Sequence, residues 1–343
     1  MSKKDELLSE VLKRAKKSKK KPTLVLCEGW DDRGLRAAEF VVKEGIANII
    51  ILDVGNKVSG TGKKQGVNTS LFEVIDIKDT KNSRTTKLKE ELAEALFKAR
   101  EKKGMNKEAA KILIEDENYF GCMMALTGKV DGVLGSLMRP TGDLMKPALQ
   151  LLRKGFVNEV TVAYDPKKDR VLFMSDGSLN ISPTPEQLGE MAVNTAGVAK
   201  MFSYEPKVGI LSFSTKGSGG DTSETFAVRE AIKKAEELAE TKNQTLEIGG
   251  EYQFDAAVNP DAAKRKCPDD KLAGQINCIV FPNLTAANIF VHGMGQFSDM
   301  EFLFTIMCGM LKPVTILGRS MPYESVKSMF IVTAVEASEN KDS

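Results

Sequence analysis

Short apolar segments alternate with amphipathic segments along the chain, and this alternation restricts the possible folds more than any other feature of the sequence. Residues 23–27 form an apolar run that predicts a buried strand, and residues 46–53 predict a second one. Residues 31–42 lie between them and carry apolar side chains at helical spacing. Strand, helix and strand in this order place both strands parallel in one sheet. The pattern therefore predicts an α/β fold with mainly parallel sheets.

The same alternation continues to the end of the chain. Further strands are predicted at residues 71–76, 130–135, 158–164, 170–174, 207–213, 276–281 and 314–317. Helices are predicted at residues 1–20, 87–103, 106–127, 143–154, 185–202, 224–241, 298–311 and 323–337. Thr184 is expected to cap the helix that starts at residue 185. The Met and Phe side chains of residues 298–311 are expected to pack in a core.

The chain length also bears on the domain organisation. A chain of 343 residues is too long for one typical hydrophobic core, so two domains are expected. No low-complexity linker separates the two halves of the sequence. We therefore expect two three-layer α/β domains that flank one cleft.

Composition argues against several classes of partner. The formal net charge is +2, with no uncompensated stripe of Lys and Arg, so no nucleic-acid partner is expected. Residues 1–21 lack the apolar core of a secretory signal, and no window of about 20 apolar residues exists to span a membrane. The five cysteines include no CxxC pair and are expected to be reduced thiols in a cytoplasmic protein.

His292 is the single histidine of the chain, and its surroundings limit the possible chemistry. It has no metal-ligand spacing around it, so no metal site is expected. A serine-histidine-aspartate relay would depend on the same residue, and we do not expect it to be catalytic. Arg, Lys, Ser, Thr, carboxylates and backbone amides remain, and such groups suit phosphate and other anions.

The strongest local signal for anion binding follows the strand predicted at residues 207–213. A loop rich in Ser, Gly and Thr lies where ligands of open α/β sheets bind, at the carboxyl end of a strand. It lacks the GxxxxGK[ST] spacing of a Walker loop. The predicted phosphate-binding residues here are Ser214, Thr215, Lys216, Gly217 and Ser218. The alternative is an ordinary flexible loop with left-handed glycines.

Three weaker signals carry basic or hydroxyl side chains. Thr141 and Lys146 follow the strand predicted at residues 130–135, where turn chemistry and a helix cap are an equal alternative. Arg100 lies near a helix C-terminus, which favours a cation in any case. Arg319 follows the last predicted strand and could hold phosphate in a bidentate way. No GxGxxG follows the first strand, so the motif of a nicotinamide-binding site is missing. No GxSxG is present, so the nucleophile elbow of hydrolases is missing too.

Taken together and in order, the motifs resemble the phosphate acetyltransferase/butyryltransferase (phosphotransacetylase) family over almost the whole chain. The matching segments are residues 24–29, 100–106, 131–150, 183–188, 211–218, 250–257 and 281–284. The resemblance implies two α/β domains, residues 1–150 with 306–343 and residues 151–305, and a homodimer. It implies reversible acyl transfer between phosphate and coenzyme A, in which the thiol attacks the acyl phosphate directly. Coenzyme A is then a substrate, and no cofactor is expected.

The sequence departs from the family pattern near its C-terminus. Gly318 stands where the family has a serine, Ser325 where it has an aspartate base and Gln296 where it has an arginine. Arg319 matches an arginine of the family. Arg319 is the expected catalytic arginine, and Glu324 could replace the missing base. The chain is therefore an active acyltransferase with acetyl, propionyl or butyryl preference, or a catalytically impaired paralogue that binds a ligand or partner subunit. A NAD-linked oxidoreductase is a third and more distant alternative.

Overall fold

The computed structural model describes residues 1–243 and 245–339. The chain divides into two compact units. The five-stranded unit comprises Leu8–Gly155 and the segment that starts at Met310, and the six-stranded unit comprises Met1–Leu7 and Phe156–Gly309. No helix of the described part of the chain is both long and apolar enough to cross a membrane.

Helices and strands follow one another through both units. In chain order the strands are β1 (Thr23–Leu26), β2 (Asn48–Asp53), β3 (Glu73–Asp76), β4 (Gly132–Gly135), β5 (Arg153–Asp165), β6 (Arg170–Ser175), β7 (Lys207–Leu211), β8 (Glu247–Tyr252), β9 (Cys278–Val280), β10 (Glu301–Met310) and β11 (Val314–Ile316). The α-helices are α1 (Lys3–Lys17), α2 (Asp32–Lys43), α3 (Lys57–Gln65), α4 (Ser83–Arg100), α5 (Lys107–Ile114), α6 (Glu117–Leu126), α7 (Thr141–Leu151), α8 (Pro185–Met201), α9 (Ser223–Thr241), α10 (Phe254–Val258), α11 (Pro260–Lys266), α12 (Leu284–Phe297) and α13 (Tyr323–Glu339).

The five-stranded sheet is parallel throughout, in the order β11-β4-β1-β2-β3. The α/β fold predicted from strand, helix and strand is thereby confirmed. Side chains alternate between the faces of a strand, and the two faces of β1 are covered by different helices. Leu26 lies against α2, and Val25 and Cys27 lie against Gly121 of α6. All five strands end at the same edge, which therefore collects the loops that follow them.

The six-stranded sheet has the order β10-β5-β6-β9-β7-β8. Strands β6, β9, β7 and β8 are parallel neighbours, and β5 pairs antiparallel with β6. Helices α8 and α9 pack against each other, and α8 also contacts β6, β7 and β9. A second core cluster joins side chains from α10 and α11 to the same sheet. The mainly parallel character predicted from the sequence is confirmed here also.

Local sequence explains several helix starts. Thr184 accepts a hydrogen bond from the Gln187 amide and Gln187 caps the Thr184 amide in return, so the predicted N-cap is confirmed as a full capping box. Asp31 caps α2 by accepting from the amides of Arg33 and Gly34.

Two predicted helices are wrong. The Met-rich segment predicted as a helix at residues 298–311 is strand β10. Residues 106–127, predicted as one helix, form α5 and α6, because Asp116 caps a new helix through the amides of Asn118 and Tyr119. Strand β8 and helix α12 were not predicted.

Candidate functional site

The loop predicted to bind phosphate connects β7 to α9 and lies at the carboxyl end of β7. Ser214 and Thr215 are buried, whereas residues 216–220 are exposed. Lys216, Gly217 and Gly220 have φ of +48°, +87° and +73°. The loop therefore turns sharply, and Lys216 has a left-handed backbone conformation that residues other than glycine rarely adopt.

A buried carboxylate organises this loop from the neighbouring strand. Glu251 of β8 is 1% exposed. Its Oε1 accepts from Ser214 Oγ at 2.5 Å and from the Gly217 amide at 3.1 Å. Arg229 of α9 donates through Nε to Oε2 at 2.8 Å and through Nη2 to Oε1 at 3.3 Å. Burial opposes ionisation, but the bonds from Arg229, Ser214 and Gly217 outweigh it and hold the pKa of Glu251 below its ordinary value.

Lys216 folds back onto the protein. Its Nζ lies 2.8 Å from Asp270 Oδ2, donates to the Gly250 carbonyl at 2.7 Å, and lies 5.0 Å from the centre of the Tyr252 ring. Tyr252 donates its hydroxyl to Asp270 at 2.7 Å. Burial would raise the pKa of Asp270, but the bonds from Lys216 and Tyr252 lower it below its ordinary value. The positive charge of Lys216 is therefore already balanced within the unit.

Every backbone amide from residue 214 to residue 220 has a partner inside the protein. The acceptors, in chain order from residue 214, are Ser212 Oγ, Ser218 Oγ, Glu251 O, Glu251 Oε1, Thr215 O, Ser214 Oγ and Gly217 O. The loop is thus held by its own hydrogen bonds, unlike the flexible alternative. The Ser218 hydroxyl and the third N–H of the Lys216 ammonium are the groups of the predicted set that can still donate outward.

In the five-stranded unit, Arg319 lies three residues after β11, at the sheet edge that also carries the ends of β1 and β4. The Arg319 side chain is exposed. Arg33 of α2 holds the backbone of this turn, because its Nη1 donates to the Arg319 and Met321 carbonyls at 2.8 Å each. Its Nη2 also donates to the Leu137 carbonyl at 3.1 Å. One side chain therefore ties the turn after β11 to the turn after β4.

The buried side chain of Glu28 holds the turn after β4 through hydrogen bonds. Its carboxylate accepts from the amides of Met138 at 2.6 Å and Arg139 at 3.2 Å. Burial raises the pKa of Glu28 above its ordinary value, although these amides partly oppose the shift. A buried glutamate thus supports a loop at a strand end in each unit, Glu28 in one and Glu251 in the other.

Arg139 is surrounded by carboxylates. Its guanidinium donates to Asp116 at 2.7 Å, Glu117 at 2.9 Å and Asp143 at 2.9 Å. Burial opposes its charge, but the bonds to Asp116 and Glu117 prevail and raise the pKa of Arg139. Close by, the side-chain amide of Asn118 and the Ser136 hydroxyl are buried without a hydrogen-bond partner in the described residues. Unpaired buried groups of this kind are typical of positions that meet water or a ligand.

The remaining predicted residues of the five-stranded unit are spread out. Thr141 opens α7 at the carboxyl edge of the sheet and is exposed, as is Lys146 one turn later. Arg100 donates to the Gln150 carbonyl at 3.3 Å, nine residues beyond Thr141 and so roughly 13 Å further along α7. Thr141 and Arg319 thus share an edge, and Arg100 lies away from Thr141.

The positions that depart from the family pattern are open to solvent or nearly so. Gly318 and Ser325 are half-buried, and Glu324 is exposed and bonded to Lys327. Gln296 lies exposed near the end of α12, the helix that also carries His292. No group of three or more His, Cys, Asp or Glu within residues 1–243 and 245–339 could hold a metal ion.

Sequence reasoning passed over the residues that support both loops. Glu251 and Arg229 are 22 positions apart and meet only through the sheet and helix packing. Glu28 and Glu251 lie in the matching segments 24–29 and 250–257, but the sequence predicted no role for either of them. Because β8 was not predicted as a strand, nothing in the sequence indicated that Glu251 is a buried charge.

The comparisons with known proteins agree with this architecture. A family model described as phosphate acetyl/butaryl transferase matches residues 6–334. A phosphate acetyltransferase of Thermoanaerobacterium thermosaccharolyticum is 33% identical over 340 residues, which is 96% of this chain and 99% of that protein. The structure of a phosphotransacetylase from Streptococcus pyogenes superposes with a TM-score of 0.86 at 32% identity, over 99% of each chain. That of an EutD phosphotransacetylase from Staphylococcus aureus gives 0.84 at 32% identity, over 96% of this chain and 99% of that chain.

Proposed function

This chain belongs to the phosphate acetyltransferase and butyryltransferase family, and we propose that it transfers a short acyl group reversibly between phosphate and coenzyme A. The observation that carries the proposal is the match of the family model and of phosphate acetyltransferase relatives along nearly the entire chain. The match to these relatives covers both units, and each unit has a cluster of loops at one edge of its sheet.

The proposed reaction needs positioning and charge stabilisation rather than a covalent enzyme intermediate. The thiol sulfur of coenzyme A forms a bond to the acyl carbon, the bond from that carbon to the phosphate oxygen breaks, and phosphate leaves. The thiol proton passes to a base. Donors aimed at the developing negative charge accelerate such a step. We assign that role to Arg319, and we propose the exposed carboxylate of Glu324 as proton acceptor.

Phosphate binding is proposed for the β7–α9 loop. Ser218 and Lys216 supply the donors that face outward, while Ser214, Thr215 and Gly217 give the loop its shape. Thr141, Lys146 and Arg100 remain proposed anion contacts; of these, Thr141 lies at the same sheet edge as Arg319.

The impaired-paralogue alternative depends on three substitutions, at Gly318, Ser325 and Gln296. None of the relatives compared favours it over an active enzyme. Loss of one positioned donor costs about 2.7–4 kcal/mol of transition-state stabilisation in comparable sites. The substitutions are therefore expected to lower the rate while leaving the acyl preference open among acetyl, propionyl and butyryl groups.

A homodimer is proposed from an exposed apolar helix in addition to the family resemblance. Only Ala287 of α12 is buried, while Ile289 and Phe297 are 68% and 89% exposed. Apolar surface of this kind is typical of an oligomer interface. Light scattering should give the mass of two chains, and Phe297→Glu should give that of one. A monomeric wild-type protein would rule the dimer out.

The proposed setting is the cytoplasm, with no resident cofactor and coenzyme A as substrate. Cys27, Cys122, Cys267 and Cys278 are buried thiols, as expected in a reducing compartment.

The function is tested by following thioester formation from acetyl phosphate and coenzyme A. Arg319→Met should reduce kcat at least a hundredfold, because one positioned donor is worth about 10²–10³ in rate. Arg84→Met is the matched control, since Arg84 is an exposed arginine of the same unit that pairs with Glu73. Equal activity of the two variants would contradict the role given to Arg319.

A further inference from the structure

We infer that Glu251 is a positioning residue for the phosphate end of the substrate, acting with Arg229 through the loop of residues 214–219. The inference rests on the proposed function, because it assigns the β7–α9 loop to phosphate. It gives a role to Glu251, which lies in the matching segment 250–257, and to Arg229, which lies outside the matching segments.

A hydroxyl, a backbone amide and a guanidinium meet on the carboxylate of Glu251. Glu251 accepts from the Ser214 hydroxyl, the Gly217 amide and two nitrogens of Arg229. Ser214 Oγ in turn accepts from the Gly219 amide at 2.8 Å. The main-chain carbonyl of the same glutamate accepts from the Lys216 amide at 3.1 Å. Glu251 of β8 thus bonds directly to Ser214, Lys216 and Gly217, and Ser214 carries the contact on to Gly219.

The Glu251 carboxylate is buried. Glu251 and Ser214 are 1% and 0% exposed, whereas the loop residues above them are exposed. The carboxylate lies beneath the loop and does not reach solvent, so it does not contact a phosphate that approaches from outside. A buried charge persists only where charged and hydrogen-bonding partners compensate it. Arg229 supplies that charge, and its other nitrogen pairs with Asp221 at 2.7 Å.

The backbone of the loop is left-handed at Lys216. Lys216 adopts φ of +48°, a region that only surrounding contacts sustain in a residue with a side chain. The Lys216 amide and the Gly217 amide on either side of that bend both bond to Glu251. Glu251 therefore holds the bend that turns the Ser218 hydroxyl and the exposed loop backbone outward.

The test compares Glu251→Gln with Glu247→Gln. Gln keeps the size of the side chain but removes the charge that pairs with Arg229. Glu247 is the exposed first residue of the same strand and serves as the matched control. We expect Glu251→Gln to raise the KM for acetyl phosphate about tenfold or more, while the KM for coenzyme A changes less than twofold. Glu247→Gln should leave both unchanged.

A merely structural role for Glu251 would alter both KM values together or neither, and either outcome would overturn the inference. Arg229→Lys keeps the charge but loses the two-nitrogen contact, so it should give an intermediate KM for acetyl phosphate.

Hydrogen exchange provides a readout that does not depend on turnover. In Glu251→Gln the amides of Gly217 and Gly219 should exchange faster than in wild type, while those in the middle of α9 should not change. Unchanged exchange at Gly217 and Gly219 would refute the support of the loop by Glu251. If the wild-type protein transferred no acyl group, the proposed function would fail separately, and exchange would still decide whether Glu251 holds the loop.

Discussion

Replacement of Arg33 by Met should weaken the fold and loosen the turn that carries Arg319. All five N–H donors of the guanidinium are used. Two bond to Asp31, at 3.1 and 2.8 Å. Three bond to main-chain carbonyls, those of Arg319, Met321 and Leu137. Met retains much of the apolar stem, so the variant removes mainly these bonds.

The expected loss follows from the burial of the partners. The Asp31 side chain is 4% exposed and that of Arg33 is 19% exposed. Breaking a buried ion pair costs about 3–5 kcal/mol when the remaining charge stays buried. Because water partly reaches Arg33, we expect a cost at or below the lower limit of this range. The carbonyls gain water in return, so each of their bonds contributes about 1 kcal/mol or less. We expect the free energy of unfolding to fall by about 3 kcal/mol.

Urea denaturation measures this loss, with Arg36→Met as the matched control on the same helix. Arg36 stacks on the Tyr323 ring at 4.0 Å, a contact worth about 0.5–1 kcal/mol at an exposed site. The folded Arg33→Met protein should also show a lower kcat, because Arg319 loses its support. A loss below about 1 kcal/mol, or no larger than that of Arg36→Met, would refute the reasoning.

Two further substitutions test the site and the core. Gly318→Ser restores the hydroxyl typical of the family, and a Cβ at this position meets only Met321 among the described residues, at 3.8 Å or more. The kcat with acetyl phosphate should therefore rise about tenfold or more. An unchanged kcat would show that the hydroxyl is not needed. Burial, aided by Glu339, raises the pKa of Glu336 from its ordinary 4.5 to about 8. The folded state therefore keeps a proton that the unfolded state releases, and stability falls as pH rises from about 4.5 to 8. Glu336→Gln should stabilise the protein at pH 9 by roughly 5 kcal/mol and have little effect at pH 4. An equal effect at both pH values in urea denaturation would contradict this.

The parallel α/β architecture was predictable because its strands are short apolar runs separated by amphipathic helices. The error at β10 has a physical cause. Leu303, Phe304, Ile306 and Met307 are all buried, so the segment lacks the alternation that marks a half-buried strand, and its Met and Leu residues favour helix. Strand β8 was missed because Gly249 and Gly250 lower strand propensity in a six-residue segment.

The position of the Ser-Thr-Lys-Gly-Ser loop at the carboxyl end of β7 was predictable from the local sequence, and phosphate binding by this loop stays a prediction. The candidate site was not predictable where distant segments meet. The ion pair of Arg229 with Glu251 and the bonds from Arg33 to the Arg319 turn join residues that are 22 and 286 positions apart. Lys216 illustrates the same limit, because its pairing with Asp270 depends on a turn 54 positions away, and the sequence suggested only an outward-facing cation.

The proposed acyl transfer is tested most directly by mixing the purified protein with coenzyme A and, separately, acetyl, propionyl and butyryl phosphate, and measuring acyl-thioester formation. An active acyltransferase forms at least one thioester, at a rate proportional to protein concentration, and releases one phosphate per thioester. No turnover of any of the three, in a protein that still binds coenzyme A by calorimetry, would contradict the proposed acyl transfer.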